Sequence, residues 1–477
     1  MKLRHALPLV FLTCLLGIPR ALVAQGGPRP SDGTITLWVR DALLKDPRTE
    51  AADITVDTNE GIVTLVGSVP TLSARQYADL ETKKITGVRG VVNALFVTPS
   101  FRFDADITQD VRKRLITSAS ITSDGLHVTV RQGKVTLDGT VASWAERQEA
   151  WLLAGAVRGV TDVTNRLTVQ YPNTRPDAEI NRDVTATLAR DVYLTGLPIT
   201  ASSTHGVVTL EGEVGTAYQK ERAGEEARLI WNVVGVTNNL KVVWWETRGT
   251  RQQRPTPTDA QLAAAVRDAL AADQRLASSD VTVDVQQGEV TLHGQVPSLY
   301  QKRLAEQVAH DVVGVAGVTD RLAVRTEQRD DADIQNDVRL QLATDAFLAP
   351  GQLGVASHHG IVTLTGDVNN IFEKLYATDA AARVKGIRNI VNNMTVRADW
   401  DTDTAIARRV KDFLSTNAEL QWVAKQIDVA VNQGVVTLTG TVNFWSERHA
   451  AGEAAFETEG VRRVDNQLVV TSPETTR

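Results

Sequence analysis

A five-residue phrase, Val-Thr-Leu-x-Gly, occurs six times at nearly even spacing and constrains the fold more than any other feature of this 477-residue chain. Successive phrase glycines are 72, 73, 82, 72 and 74 residues apart; they are Gly67, Gly139, Gly212, Gly294, Gly366 and Gly440. A fixed period of this length indicates one small folding unit copied in tandem. The sequence therefore predicts six modules, numbered 1 to 6, at residues 34–98, 104–171, 177–243, 258–325, 331–397 and 403–471.

A second phrase, Gly-Val-x-x-Val-x-Asn-x-Leu, begins twenty residues after each of these glycines. Its first position holds Gly in five copies and Asn in the third; these residues are Gly87, Gly159, Asn232, Gly314, Gly386 and Gly460. Glycine and asparagine are the residues that most readily adopt the left-handed conformation that closes a helix. The position is therefore predicted to be a helix C-cap.

Each module begins with apolar residues at i, i+4 and i+8, as in Ile35, Val39 and Leu43, which is the spacing of an amphipathic helix. Two short alternating runs joined by a turn follow and predict a hairpin. A polar, Ala- and Glu-rich stretch then predicts a second helix, and the second phrase leads into a last strand. The fold class is α+β, with modules of order αββαβ in which two helices pack on a three-stranded mixed sheet. A glycine inside the second strand predicts close approach by another backbone, for which the second helix is the expected candidate.

The N-terminus has the pattern of a secretory signal peptide. Residues 1–24 contain Lys2 and Arg4, an apolar run and a small-residue end, so we expect export with cleavage near Gln25. The alternative of a lipid-modified Cys14 fits poorly, because that cysteine lies inside the apolar run. Cys14 is the only cysteine, so no disulfide is expected. No later segment has the ~18 uninterrupted apolar residues of a membrane-spanning helix.

The two phrases and the order of the elements resemble those of the BON domain, a family of bacterial envelope proteins. The resemblance covers nearly all of the chain after residue 24. It implies non-catalytic αββαβ modules that attach proteins to phospholipid surfaces or to partner proteins, with roles in osmotic and envelope stress. The family has no catalytic motif, and its recurring glycines and apolar residues maintain the fold.

Charge and motifs exclude several classes of function. The formal charge is −6, so the chain as a whole is not attracted to nucleic acid. No nucleophile elbow, phosphate-binding loop or His-Glu-x-x-His motif is present. His358 and His359, with Asp367 at the far end of the next strand, are the most suggestive metal-ligand pattern, but strand geometry separates them. We therefore predict no catalytic residue, cofactor or metal site.

Aromatic residues recur where the second strand leads into the second helix, four to six positions after the phrase glycine; they are Trp144, Tyr218, Tyr300, Phe372, Phe444 and Trp445. Amphipathic aromatics at one end of a module suit a lipid headgroup region or a pocket of a partner. The alternative is that each ring anchors the start of the second helix to its own core. The sequence leaves both interpretations open.

Basic clusters are also candidates for contact with anionic lipid; they are Arg112, Lys113 and Arg114 in module 2, Arg408 and Arg409 in module 6, and Arg462 with Arg463. On an amphipathic helix such residues usually form the solvated face. Near a charged membrane each would contribute roughly 1 kcal/mol. Several modules acting together would then bind where one could not.

The connections between modules are short and acidic, except for residues 244–257, which are basic and end in Pro255 and Pro257. The long connection predicts a semi-extended linker between two halves of three modules. The short ones leave little slack, so an extended and partly ordered array is expected rather than six free modules.

The sequence predicts a non-enzymatic array, exported to the periplasm, that attaches to the bacterial envelope through its phospholipid surface or its proteins and protects against osmotic or envelope stress. The alternative function is that of a periplasmic chaperone or scaffold that binds polypeptides without touching lipid. Salt-sensitive binding to liposomes would favour the first function, and suppression of aggregation without lipid binding would favour the second.

Overall fold

The computed structural model describes residues 29–49, 51–122, 124–171, 173–243, 257–277, 279–348, 353–397 and 402–471. Within them, all six modules have the predicted order of helix, strand, strand, helix and strand. The α+β class and the tandem array of six modules are confirmed. The signal peptide predicted at 1–24 and all but the last residue of the linker predicted at 244–257 lie outside the described residues.

The first helix of each module buries the predicted ladder, as Ile35, Val39 and Leu43 do in module 1. These helices are α1 (Asp32–Lys45), α3 (Asp104–Thr117), α5 (Asp177–Arg190), α7 (Asp259–Ala272), α9 (Asp331–Thr344) and α11 (Asp403–Thr416). The second helices are α2 (Leu72–Lys84), α4 (Trp144–Gly155), α6 (Ala217–Arg228), α8 (Leu299–His310), α10 (Ile371–Ala382) and α12 (Trp445–Phe456).

Each module has a three-stranded sheet whose central strand contains the Val-Thr-Leu phrase. The first strands are Ile54–Asn59, His127–Arg131, Ile199–Thr204, Asp280–Gln286, Leu353–His358 and Ile427–Asn432. The central strands, antiparallel to these, are Ile62–Val69, Lys134–Asp138 with Thr140–Val141, Val207–Val214, Glu289–Val296, Ile361–Val368 and Val435–Val442. The third strands, parallel to the central ones, are Gly90–Val97, Asp162–Asn165 with Thr168–Val169, Gly235–Asn238 with Lys241–Val242, Gly317–Val324, Asn389–Asn392 with Thr395–Val396, and Arg463–Asn466 with Val469–Val470.

The phrase glycine allows a close approach of main chain, as predicted, but its neighbour is not the second helix. Gly67 has φ +138°, and a Cβ there would lie 1.9 Å from the carbonyl oxygen of Asp53. Asp53 immediately precedes the first strand. Gly212 meets Pro198 in the same way, at 2.0 Å. The glycine is therefore needed where the chain enters the hairpin, because any side chain would displace that entry.

The first position of the second phrase has the predicted left-handed conformation, with φ +89° at Gly87 and +71° at Asn232. The prediction that it is a helix C-cap is wrong. In module 1 the C-cap of α2 is Ile85, and Gly87 follows it in a turn that leads to the third strand. In module 1 the extended residue Ile85 bridges Asn417 of module 6, and the left-handed Gly87 follows two residues later.

The same pair of hydrogen bonds fixes the hairpin to the first helix in all six modules. In module 1 the amides of Glu60 and Gly61 both donate to the carboxylate of Asp32, at 2.8 and 3.0 Å. Glu60 and Gly61 both have positive φ, which is the type I′ hairpin turn. The aspartates that begin the other first helices make the same pair of bonds. These aspartates therefore hold the hairpin turn, and as acids in the first turn they also interact favourably with the helix dipole.

The six modules fold back on each other as three pairs, 1 with 6, 2 with 5 and 3 with 4, so the expected extended array is wrong. Each pair is joined by backbone bridges between a residue one or two positions after a second helix and the residue directly after the partner's first helix. These bridges are Ile85 with Asn417, Ser118 with Val384, Val157 with Asp345, Asp191 with Val312, and Ile230 with Asp273. Pairs 2·5 and 3·4 make the bridge twice, once in each direction, as a two-fold relationship requires. The partner module supplies hydrogen bonds to main-chain groups at the helix ends. In a linear array these groups would lack such partners.

The pairs also contact one another. Leu72 of module 1 packs into the core of module 2, and Ala217 of module 3 packs into the core of module 1. Leu299 of module 4 does the same in module 5. These three residues occupy one repeat position, five after the phrase glycine, so the same position makes a contact between pairs in three modules. The chain thus forms one compact assembly in which each module keeps its own hydrophobic core.

Candidate interaction surfaces

The junction aromatics are largely engaged by other modules of the same chain. Tyr218 of module 3 packs edge-on against Tyr193, at 5.3 Å between ring centroids, and both rings lie against the core of module 6. Burial raises the pKa of Tyr218 well above its ordinary value. The ring of Tyr300 in module 4 lies under the guanidinium of Arg383 from module 5, at 4.9 Å. Neither sequence interpretation anticipated these contacts between modules.

Phe372 is the centre of an aromatic cluster between modules 1 and 5. Its ring lies 5.7 Å from Tyr77 of module 1 and 5.0 Å from Phe347 of module 5. The guanidinium of Arg48, from module 1, is 5.3 Å from the same ring. Edge-to-face and cation–π arrangements of this kind each add roughly 0.5–1.5 kcal/mol. The cluster therefore holds the modules together.

Trp144 is half-buried between two arginines. Arg147 of the same helix lies 4.7 Å from its ring, and Arg228 of module 3 lies 5.8 Å from it. Phe444 is half-buried at the N-cap of α12. Trp445 begins that helix, and its side chain lies outside the described residues.

Arg114 is buried at the interface between modules 2 and 5, and the prediction that it lies on a free surface is wrong. Its side chain is 3% exposed, and Nη1 lies 3.0 Å from Oδ2 of Asp345 in module 5. Nη2 donates to the main-chain oxygen of Gln341 at 2.8 Å. A guanidinium held in this way cannot reach a lipid headgroup without opening the pair.

The other basic candidates remain at the surface. Arg112, Lys113 and Arg408 are exposed, and Arg409 is half-buried with Nη2 donating to the main-chain oxygen of Glu459 at 3.1 Å. Lys113 also forms an ion pair with Asp337 of module 5, at 2.8 Å. The clusters predicted from sequence therefore divide into residues that join modules and residues that face solvent.

A repeated exposed cation was missed in the sequence. The residue directly after the central valine of the first-helix ladder is basic in five of the six modules and exposed in all; it is Arg40, Arg112, Thr185, Arg267, Arg339 and Lys411. Four residues later, one helical turn away, Leu44 is 54% exposed and Ile116 is 71% exposed. The signal was present as a basic residue following Val39, Val111 and their counterparts, and it becomes visible once the ladders are aligned.

Two of these basic residues, Arg112 and Arg339, lie on helices α3 and α9, which contact each other in the module pair 2·5. Arg112 donates to the main-chain oxygen of Val128 at 3.0 Å, and Arg339 of module 5 makes the equivalent bond to Val355 at 3.5 Å. Lys385 donates to the main-chain oxygen of Ile116 at 3.1 Å. Among the described residues these three cations have carbonyl partners rather than carboxylates, so their positive charge is not cancelled locally. We call Arg112, Ile116, Arg339 and Lys385 the basic seam.

A second exposed surface is aromatic. Phe96 lies next to the last residue of the third strand of module 1, and Phe101 and Phe103 follow in the connection to module 2; they are 71%, 82% and 67% exposed. The rings of Phe101 and Phe103 meet edge-on at 5.2 Å. Large apolar side chains exposed close together in sequence are unusual on a soluble protein and indicate a contact surface. We call these three residues the Phe cluster.

The histidines do not converge with other ligands. The amide of His359 donates to Asp331 at 2.7 Å as part of the hairpin turn, and the bonds from Gly360, Ser357 and His359 lower the pKa of that carboxyl to about 2. Asp367 lies 3.6 Å from Arg397 instead. No group of three or more metal-ligating side chains occurs in the part of the chain that the structure describes. No described helix is long and apolar enough to cross a membrane.

The model of the BON domain family matches six segments, residues 31–99, 103–171, 176–243, 258–326, 330–398 and 402–472. The chain belongs to the BON domain family. The six αββαβ units are therefore BON modules, and the predicted resemblance is confirmed.

Two curated relatives share this family. Osmotically-inducible protein Y of Escherichia coli (strain K12) is 30% identical over 185 residues, which are 38% of this chain and 92% of that protein. Outer membrane lipoprotein DolP of Haemophilus influenzae (strain ATCC 51907 / DSM 11121 / KW20 / Rd) is 29% identical over 163 residues, 32% of this chain and 83% of that protein. Each match therefore corresponds to about a third of the BON array.

Structures of CdsD, a structural protein of the type III secretion system of Chlamydia trachomatis, are also similar in part. Two of them are 16% identical to this chain and cover 46% and 47% of it, with 93% and 100% of their own length. Their TM-scores are both 0.13, so the similarity carries no argument about the assembly of the six BON modules.

Proposed function

We propose that this chain is an exported, non-enzymatic BON protein of the bacterial envelope that attaches to anionic phospholipid through the basic seam. Membership of the BON family and the names of the two relatives, one osmotically inducible and one an outer membrane lipoprotein, support a role in the envelope and in osmotic stress. The predicted signal peptide supports export to the periplasm.

The observation that carries the lipid assignment is the charge of the basic seam. Arg112, Arg339 and Lys385 belong to one module pair and bond only to main-chain carbonyls among the described residues, while Ile116 is exposed beside them. Cations with an exposed apolar side chain suit the headgroup region, because the charge meets phosphate and the apolar group enters the acyl boundary. Lys113 is engaged by Asp337 and contributes less.

Compact packing limits how many modules act together. Repetition in an open string would give every module access to one membrane, and avidity would follow. In the folded-back chain Arg112 and Arg339 belong to one module pair, whereas the equivalent cations Arg40, Arg267 and Lys411 belong to the other two. We therefore expect binding by one pair at a time, of modest affinity and strong salt dependence, since about 1 kcal/mol per cation is available.

Flotation with vesicles tests the proposal. The protein should float with phosphatidylglycerol vesicles at low salt, and should not float with phosphatidylcholine vesicles or at high salt. The double variant Arg112→Gln/Arg339→Gln should lose most of this binding. Arg131→Gln/Lys134→Gln, which removes two exposed cations at the hairpin of module 2, is the matched control and should float as the wild type does. Equal loss in both double variants would refute the seam as the site.

The Phe cluster favours the second candidate function, in which the protein holds polypeptides. Three exposed phenyl rings offer apolar surface without the positive charge that lipid headgroups attract. In that case the wild type would suppress aggregation of an unfolded test protein, and Phe96→Ser/Phe101→Ser/Phe103→Ser would not. Absence of flotation under every condition together with such suppression would replace the lipid proposal by this one.

A further inference from the structure

The interface between modules 1 and 6 encloses an ionic cluster with unequal charge. Arg48 Nη2 lies 2.8 Å from both Asp46 Oδ2 and Glu81 Oε1, and its Nη1 lies 2.9 Å from Glu457 Oε1 of module 6. Lys84 Nζ lies 3.0 Å from the same oxygen of Glu81 and 3.3 Å from that of Glu457. Two cations therefore face three carboxylates, and the excess is one negative charge.

The excess charge is buried. Glu81 is 1% exposed and Glu457 is 8% exposed. Each uses Oε1 on the shared cations, and each has an Oε2 that is buried without a hydrogen-bond partner. An ionised carboxylate oxygen left alone out of water is costly, whereas a protonated one carries no charge and can donate a hydrogen bond. The geometry lacks one counter-charge, and no third cation is in contact with either carboxylate in the described residues.

The surrounding groups do not supply that charge. Glu453 of module 6 adds another carboxylate near Lys84, and it is held by His449 at 3.5 Å. Tyr77 lies under the guanidinium of Arg48 at 4.7 Å, where burial raises the pKa of its hydroxyl to about 12, so it stays neutral. Asp345 of module 5 is the remaining acid near Tyr77, and it is paired with Arg114.

We propose that Glu81, which faces Glu457 across this interface, holds one proton, and that release of this proton as the pH rises through neutrality opens the interface between the first and last modules. Burial, with the nearby charge of Glu457, raises the pKa of Glu81 to about 7. The proton is therefore exchanged near neutral pH, well above the range in which an exposed glutamate titrates.

A second interface repeats the imbalance. Between modules 3 and 4, Arg222 faces Asp191 at 2.6 Å and Asp311 at 3.0 Å, with Glu226 at 3.8 Å. Burial raises the pKa of Glu226 to about 7 as well. Between modules 2 and 5 the corresponding ion pair, Arg114 with Asp345, is balanced one to one. The chain thus has two interfaces that hold excess acid and one that does not.

Amide hydrogen exchange at this interface tests the proposal. The amide of Thr86 donates to the carbonyl of Thr416, and that of Ala418 donates to the carbonyl of Lys84, so both report on contact between modules 1 and 6. In the intact protein, protection of their peptides, corrected for intrinsic exchange, should fall about thirtyfold between pH 5.5 and pH 8.5. Protection at Arg158 and Ala346, which join modules 2 and 5, should change far less.

Glu81→Gln keeps the shape of the side chain and replaces the proton-binding carboxyl by an amide. Protection of Thr86 and Ala418 should then be independent of pH, and Glu457→Gln should behave in the same way. Glu60→Gln removes an exposed charge from module 1 and should leave the pH dependence intact. Constant protection across this pH range in the wild-type protein would overturn the proposal. Retention of the full pH dependence in a folded Glu81→Gln or Glu457→Gln protein would do so too.

Discussion

Arg114 and Asp345 are 231 residues apart in the sequence and are joined by an ion pair of 3.0 Å, with side chains 3% and 0% exposed. Asp345 also accepts from the hydroxyl of Tyr376 at 3.1 Å, and its Oδ1 accepts from the amide of Phe347 at 2.8 Å. The pair thus joins the C-terminal turn of helix α3 to the cap of α9. It is the clearest sign that module pairing across the whole chain, rather than succession along it, organises this BON array.

Loss of this ion pair should weaken modules 2 and 5 together. Arg114→Ala leaves Asp345 buried and uncompensated, so the free energy of unfolding of these modules should fall by about 3–5 kcal/mol. Urea denaturation followed by circular dichroism measures the change. Arg112→Ala, two residues away and exposed, is the control and should cost less than about 1 kcal/mol. Equal effects of the two substitutions would contradict the pairing of modules 2 and 5.

The phrase glycine should be intolerant of any side chain. Gly67→Ala places a Cβ 1.9 Å from the carbonyl oxygen of Asp53 at a φ of +138°, so the hairpin entry must shift. We expect a loss of more than about 2 kcal/mol in the stability of module 1. Gly33→Ala, in the exposed first turn of α1 with nothing within 4 Å, should be neutral or stabilise by up to about 1 kcal/mol. Thermal unfolding of the two variants separates these outcomes, and similar behaviour would be evidence against the close approach.

Because modules 1 to 3 pair with modules 4 to 6, we expect the two halves of the protein to stay together after the chain is cut between them. Every one of the three module pairs has one member on each side of residues 244–256. A protease site introduced there should yield two fragments that co-elute in size-exclusion chromatography as one species. An uncut sample and a cut sample in urea provide the controls. Fragments that separate in buffer would show that pairing across the halves is weak or absent.

Stability should depend on pH through Glu226. Its folded-state pKa is about 7, above the value of about 4.3 in an unfolded chain, so the folded state binds the proton more tightly. The stabilising contribution of the proton is therefore full below about pH 4 and is lost as the pH rises toward 7. Glu226→Gln should match the wild type at pH 4.5 and be more stable at pH 8, by up to about 3 kcal/mol. Denaturation midpoints at the two pH values measure this, and a variant less stable at pH 8 would exclude the assignment.

Substitution of Trp144 tests whether its ring packs between modules or contacts lipid. With Arg147 and Arg228 over its ring, Trp144→Ala should cost about 1–3 kcal/mol in stability and loosen the contact between modules 2 and 3. Flotation of the folded variant with anionic vesicles should be unchanged, because the basic seam lies elsewhere. Loss of flotation in a variant of normal stability would restore Trp144 as a lipid contact.

The module was predictable from sequence, but the arrangement of modules was not. Periodicity of two and of 3.6 residues, together with the glycine phrases, is local information, and it predicts every helix and hairpin as well as the left-handed conformation at Gly87 and Asn232. Pairing depends on residues such as Arg48, Arg114 and Glu457, which look in the sequence like ordinary surface charges in or just after amphipathic helices. Only the burial created by a distant module distinguishes them from Arg112, which does face solvent. For the same reason the sequence alone does not reveal that Tyr218 and Phe372 lie between modules.

Small-angle scattering of residues 25–477 tests the central claim, that six BON modules fold back into one assembly. A compact particle of this length has a radius of gyration of about 22 Å, whereas six modules in an extended row would give roughly 45 Å. The account predicts a value close to the compact one at pH 5.5, with a distance distribution of one maximum. A radius near that of the row would contradict it, because no arrangement with modules 1 and 6 in contact can be so long.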